Sequence, residues 1–205
     1  NPVQNLTWFA AVLYANLLSI ERGLTRCYYT DAGFTTPIDA TNYTDGPFHC
    51  DFDANGYRLP SEGEWEYACR AGKATPFWIA EEDYSSLNCG TASTPEMYTT
   101  LETAAWFWGN SVSLFKSSPV AMKLANPWGL HDTHGNVGEW CWDWYGTYPA
   151  GSATDYEGGT SGTLRVYRGG CWHFDAQYTR SARRDGYSPD HDDYLVGFRL
   201  ARSVP

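Results

Sequence analysis

The side chains with the most varied chemistry in this sequence gather near its end. Between Arg165 and Ser203 lie His173, Phe174, Asp175, Tyr178, Asp185, Gly186, Tyr187, Ser188, His191, Asp193 and Tyr194. Their spacing follows neither the helical nor the strand period. Tyrosine offers large, stiff contact area at little entropic loss, while Asp, His and Ser add adaptable hydrogen bonds, which is the chemistry of recognition. The flanks read as framework: Arg168-Gly169-Gly170-Cys171-Trp172 on one side, Gly197-Phe198-Arg199-Leu200 on the other. An irregular polar and aromatic stretch held between structured ends is how binding surfaces are usually built. On this reading Tyr178, Tyr187 and Tyr194 serve contact rather than the core. Arg180, Arg183 and Arg199 are structural, pairing with core carboxylates such as Glu139.

Three other groupings bear on chemistry. In Gly135-Asn136-Val137-Gly138-Glu139, Asn136 and Glu139 with nearby carbonyls offer hard oxygen ligands suited to Ca²⁺. The alternative is that Asn136 makes the turn and Glu139 pairs with an arginine, and the residues alone leave both open. His131 and His134 have Asp132 between them, but the segment reads as turn and nothing requires the pair to converge. Glu62, Glu64 and Glu66 alternate along a helix, so they point in different directions and disfavour a shared acid-base or metal site. The sequence holds no nucleophile elbow, phosphate-binding glycine loop or His-Glu-x-x-His.

The elements that must position these groups are fewer. Thr7 can cap a helix from Trp8 to about Ile20, with Trp8, Ala11, Val12, Ala15 and Leu18 on one face and Gly23 ending it. Ser61 and Glu64 form a capping box that opens a second helix, its apolar face made by Trp65, Ala68 and Cys69, ending near Gly72. Residues 73–125 read as loops with brief strands, and 105–108 as a buried aromatic strand or turn. Gly135-Asn136 supplies a turn, and the alternating Trp140, Trp142 and Trp144 lay an aromatic face along a strand.

Composition narrows the class. A chain of 205 residues with ten Trp and fifteen Tyr fits one loop-rich domain containing β-structure rather than a helical bundle. Its formal charge is −10, although the part from Arg165 onward holds seven Arg against five Asp. An acidic body lacks the basic stripe that nucleic acid requires. No apolar run is long enough to span a membrane. The six Cys show neither a C-x-x-C pair nor zinc spacing, and Cys69 and Cys141 sit in segments that read as buried, which favours reduced thiols. The expected partner is a protein or glycan. A cell-surface or secreted location follows only if a signal segment precedes Asn1.

Taken together, the motifs resemble the formylglycine-generating-enzyme (sulfatase-modifying factor) family. The segments that carry the resemblance are Pro2-Val3 with its Trp8 helix, Gly56 to Glu62 with Glu64 to Ala68, Asn126 to Trp144, Arg165 to Trp172, and Gly197-Phe198-Arg199. They run in family order across nearly all of residues 1–205. The resemblance implies an α+β fold, a variant of the C-type lectin fold with a small twisted antiparallel sheet, two helices and much irregular coil. The family's strands ahead of Pro2-Val3 are missing from this sequence. The resemblance further implies structural Ca²⁺ at Asn136, Val137 and Glu139. A second calcium site is half recognisable at Asn88-Cys89.

Active members of the family carry two cysteines shortly after Arg-Gly-Gly that hold copper. Here Cys171 stands alone, and the positions of the pair fall around Phe174 and Thr179. One thiolate cannot supply a two-coordinate soft copper site, so neither copper nor oxidase activity is expected, although a formylglycine-generating-type oxidase remains the competing function. The terminal stretch, residues 165–203, instead resembles the variable region of proteins diversified by retroelements, which mutate template adenines chiefly in Asn codons. Every residue of the recognition set can be reached from an Asn codon through its adenines. All nine Asn of the chain lie between Asn1 and Asn136. The expected function is noncatalytic ligand binding through a surface that changes while its scaffold does not.

Overall fold

The structure is a computed structural model that describes residues 1–44, 46–79, 95–111, 116–152, 154 and 156–203. Helix α1 spans Trp8–Glu21. Thr7 Oγ1 accepts from the Ala10 N–H at 3.1 Å, and Gly23 takes φ +68° just beyond the end. Trp8, Ala11, Val12 and Ala15 are buried as their spacing predicts, and Leu18 is half-buried. Asn16 is buried with them, which helical periodicity does not foresee. Its amide donates to the carbonyls of Tyr28 and Ile38 at 2.8 and 3.0 Å and accepts from the Tyr28 N–H at 3.0 Å. That side chain stitches the incoming coil to α1.

Strands β1 (Tyr28–Tyr29) and β2 (His49–Cys50) pair antiparallel. Strand β3 (Tyr57–Arg58) pairs with the last strand of the chain. Helix α2 spans Glu62–Arg70 and opens on the expected capping box: Glu64 N–H donates to Ser61 Oγ at 3.2 Å, and Ser61 N–H donates to Glu64 Oε2 at 2.7 Å. Two further helices lie where coil and brief strands are expected, α3 (Pro95–Glu102) and α4 (Trp108–Ser111). The first is two turns long and the second one turn, too short for a 3.6-residue period to stand out. Trp106 forms an isolated bridge with Gly135, consistent with the aromatic strand or turn expected there.

The main sheet comprises β4 (Gly138–Trp144), β5 (Arg165–Arg168), β6 (Arg184–Tyr187) and β7 (Val196–Phe198), in the order β6-β5-β4-β7. A single 3-10 turn at Ala176–Thr179 interrupts the coil before β6, and β8 (Ala201–Arg202) follows β7. The expectation of an antiparallel sheet holds for β6-β5 and β5-β4 but not for β4-β7, which run parallel. All of β5, β6 and their loops lie between β4 and β7, and so long a crossover is what a parallel partner needs. Helix α1 covers one face of β4 through Trp8, Trp140 and Trp142. Helix α2 covers the other, where Trp65 and Cys69 meet Cys141 and Val166. With both faces covered, β4 is buried from Gly138 to Asp143. It is the rigid centre on which the terminal stretch is mounted.

Candidate ligand-binding site

The terminal stretch leaves β5 through Gly169 and Gly170, at φ +88° and +67°. A Cβ on Gly170 would lie 2.4 Å from the Tyr178 carbonyl oxygen, so only glycine lets the two backbones approach this closely. Arg168, 1% exposed, then anchors the returning chain. Its guanidinium donates to the carbonyls of Arg183 and Ser181 at 2.6 and 2.9 Å and also pairs with Glu66. Glu62 approaches the same group at 3.6 Å, and receives Arg184 on both oxygens at 2.7 and 2.6 Å. Glu62 and Glu66, read from sequence as pointing apart, thus converge on one arginine and fix β6 to α2.

His134 ties down the 3-10 turn. Its Nδ1 lies 2.8 Å from the Thr179 carbonyl, which assigns the proton to Nδ1. Nε2 accepts from the Trp78 N–H at 3.3 Å. Burial lowers the imidazole pKa to about 4, and the same cause raises the neighbouring Cys69 thiol to about 11. Cys69 Sγ and His134 Nδ1 are 3.9 Å apart, yet both groups are neutral near pH 7, so the pair is a packing contact and not an activated nucleophile. His131 Nδ1 lies 2.8 Å from the Lys123 carbonyl. The two histidines therefore serve separate backbone contacts.

On this base most of the recognition set forms one chain of contacts. His191 packs on Tyr187 at 4.2 Å, and Tyr187 stacks on Tyr167 at 4.8 Å. Tyr167, Phe174, Tyr178, Arg183 and Asp185 line a shallow depression. Phe174 meets Tyr178 at 5.8 Å and packs against the cluster of Cys171, Trp172 and Leu195. Trp172 meets His173 at 5.1 Å and Tyr194 at 6.1 Å. His191 Nε2 is 3.4 Å from Asp193, whose other oxygen accepts from the Leu195 N–H at 3.0 Å. His173, Tyr178, Ser188 and Tyr194 are exposed, and Asp175, beside the 3-10 turn, is half-buried.

Three expectations change. Gly186 sits in β6 opposite Val166, where a Cβ would fall 2.9 Å from Tyr145, so it is a packing glycine and not a contact position. Tyr187 is half-buried and packs against the main core, so it is as much scaffold as surface. Arg183 pairs with Asp185 at 2.6 Å and lies over the Tyr178 ring at 5.0 Å, which places it on the surface rather than in a core pair. Arg180 donates to the Gln177 carbonyl at 2.8 Å and is local structure. Contributors also come from outside the terminal stretch. Trp108 of α4 meets His173 edge-on at 5.1 Å, and Arg184 lies over the rings of Tyr148 and Tyr145 at 4.1 and 4.9 Å.

The calcium set implied by the family resemblance does not fit the geometry. Arg199 closes on Glu139 with Nε–Oε2 at 2.5 Å and Nη2–Oε1 at 2.6 Å, and the Trp65 indole donates to Oε2 at 2.6 Å. Asn136 Oδ1 accepts from the Ser118 N–H at 2.9 Å, its Nδ2 donates to the Ser118 carbonyl at 3.2 Å, and its own carbonyl accepts from Trp172 N–H at 2.9 Å. With Asn136 and Glu139 engaged by N–H donors and a guanidinium against the carboxylate, Asn136, Val137 and Glu139 offer a cation no cage. This is the turn-and-arginine alternative. The second calcium segment, Asn88-Cys89, lies outside the described residues. Among the described residues, no three His, Cys, Asp or Glu side chains gather to hold a metal.

Fold and geometry agree with the comparisons. The family model for the sulfatase-modifying factor enzyme 1-like domain matches residues 1–204, and the chain belongs to that family. Treponema denticola variable protein 1 superposes with a TM-score of 0.78 at 32% identity, over 98% of this chain and 70% of that one. The chaperone protein LppX of Paenibacillus barcinonensis is 29% identical over 98% of this chain and 70% of its own length. A formylglycine-generating enzyme of Streptomyces coelicolor is 34% identical over 73% of this chain, which spans 48% of that enzyme. The α+β fold is that of formylglycine-generating-enzyme-type, C-type-lectin-like neighbours. Among the described residues, no helix is long and apolar enough to cross a membrane.

Proposed function

We propose that this protein is a noncatalytic ligand-binding receptor whose terminal stretch is diversified by a retroelement to change its partner. The observation that carries the reading is the division of labour in residues 165–203. Arg168, Gly170 and His134 grip the backbone of that stretch from a buried base. His173, Tyr178, Ser188 and Tyr194 are exposed on it. A rigid base with replaceable side chains tolerates change of partner without refolding. The similarity to a variable protein of Treponema denticola supports this reading, as does the terminal stretch's likeness to retroelement-diversified regions. A protein or glycan is the partner class that the aromatic and polar mix suits.

The similarity to formylglycine-generating enzymes favours an oxidase as the second reading. The residues of the site weigh against it. Cys171 is 1% exposed and burial pushes its thiol up to about 12, so it stays protonated near neutral pH. Phe174 and Thr179 stand around the positions that the copper pair would take. The deciding experiment is to search the DNA around the gene for a near-copy of codons 165–203 beside a reverse transcriptase. A copy differing almost only at adenines supports the binder and identifies its variable positions. Absence of such a copy, together with oxygen-dependent oxidation of a substrate cysteine, would replace it with the oxidase.

A further inference from the structure

A second cleft opens at the far end of β4, where the core tryptophans meet the coil around β2. Its volume is about 340 Å³, and Phe34, Phe48, Trp142 and Trp144 make its walls, with Arg165 among its lining residues. Arg165 is 3% exposed. Its guanidinium lies 3.8 Å from the Trp8 ring centroid, 4.9 Å from Trp142 and 3.5 Å from Trp144. Nη1 donates to the Trp142 carbonyl. Nε is buried without a partner, and no acidic side chain of the described residues comes within 4.0 Å of the group. Asp143, the acid whose field it feels, instead accepts the Glu62 N–H at 2.6 Å.

A guanidinium taken out of water normally keeps a carboxylate against it, because an unpaired buried charge is costly by several kcal/mol. The other buried arginines of this protein follow that rule: Arg58 pairs with Glu64 and Arg168 with Glu66. Arg165 alone among the three has aromatic faces in place of an acid. Stacked rings offset part of the desolvation, but they accept no hydrogen bond in the guanidinium plane. Glu157, the acidic residue that lines the cleft, is exposed. A buried donor facing a cleft with aromatic walls has the makings of a small-molecule site, apolar around the ligand body and polar at one point.

We propose that this cleft binds a small aromatic carboxylate, its acid group meeting Arg165 and its ring lying between Phe34, Phe48 and Trp144. The site is separate from the terminal recognition surface and does not depend on that surface's function. The test is calorimetric titration of the intact protein with phenylacetate and with its neutral amide, phenylacetamide. Phenylacetate should bind, and the amide should bind at least about tenfold more weakly, because the charge-assisted contact to Arg165 is lost. Phe34 is 41% exposed at the rim and packs on Tyr29 at 5.4 Å: Phe34→Ala should weaken phenylacetate binding about threefold or more in a protein that still melts cooperatively. Equal affinity for acid and amide, or no heat from either up to about 10 mM, would overturn the proposal. Unchanged phenylacetate affinity in Phe34→Ala would overturn it too.

Discussion

Arg168 donates one guanidinium nitrogen to the carbonyl of Arg183, fifteen residues further along the chain, at 2.6 Å. Through that bond a side chain buried beside α2 sets where β6 begins. His173, Phe174, Asp175 and Tyr178 lie inside the loop it closes. The same arginine faces Glu62 and Glu66, so it links the carboxylates of α2 to the recognition surface, alongside the direct Glu62–Arg184 pair.

Removing that intermediary should be severe. Arg168→Met leaves Glu66 with only Arg70 and frees two backbone carbonyls, and loss of one partner from a buried ion cluster typically costs roughly 3–5 kcal/mol. Urea unfolding should show a loss of that size. Arg168→Lys should recover only part of it, because a single ammonium cannot span two carbonyls and a carboxylate with the planar fork of Arg. A change below about 1 kcal/mol would mean that the clamp does not hold the stretch.

The tyrosines should separate into two kinds. Tyr178 and Tyr194 are 37% and 48% exposed, so replacing both with Ala should shift stability by no more than about 1 kcal/mol while abolishing capture of the partner. Tyr187 stacks on Tyr167 with an interplanar angle of 12° and packs on the core. Tyr187→Ala should therefore lower stability by about 2 kcal/mol. Thermal melts of the two variants side by side distinguish surface from scaffold, and equal losses would contradict the division.

Calcium should have little effect through Asn136, Val137 and Glu139. The Glu139 carboxylate already holds Arg199 and the Trp65 indole, so binding Ca²⁺ would require expelling a guanidinium. The Tm difference between excess Ca²⁺ and EDTA should be the same within about 1 °C in this protein and in Glu139→Gln, whereas a ligand held there well above its Kd would stabilise only the unmodified protein by several kcal/mol. Glu139→Gln, by contrast, leaves Arg199 and the indole without their charged acceptor and should destabilise by about 3 kcal/mol.

Two buried groups act on pH dependence with opposite signs. His134 has its pKa lowered to about 4 by burial, so the unfolded chain takes up its proton first and stability falls as pH drops from about 6.5 towards 4. Asp143 has its pKa raised to about 6, chiefly by burial. The folded state therefore binds that proton first, and its contribution grows as pH falls from about 6 towards 3.8. Each term amounts to about 3 kcal/mol, and over much of the window they offset one another. Asp143→Asn keeps an acceptor for the Glu62 N–H and removes one term. That variant should lose about 3 kcal/mol more than the unmodified protein between pH 6.5 and 4, read from denaturant midpoints at each pH. Parallel pH profiles for the two proteins would rule out this coupling.

Several features were fixed by local sequence. Thr7, Ser61 with Glu64, and Gly23 set the ends of α1 and the start of α2, because a cap needs only its own few residues. The alternation of Trp140, Trp142 and Trp144 marked a strand for the same reason, since its period repeats within the segment. The recognition region was legible as composition: polar and aromatic residues with no period, bounded by Gly-Gly and Gly-Phe-Arg. The family order of motifs supplied the fold class.

Tertiary structure decided what depends on distance rather than on order. Whether Glu139 faces a cation or Arg199 turns on a contact sixty residues away in sequence, which no local pattern encodes. The same holds for Glu62 and Glu66 meeting Arg168, and for the parallel pairing of β4 with β7. Tyr178 and Tyr187 are the same residue type in the same stretch, yet one is partly exposed and the other lies on the core. Gly186 has the residue type of a variable position, but Tyr145 packs directly against it. Residue type sets which interactions a side chain can make. Only packing sets which partner is near enough to make them, because those energies act over a few ångströms.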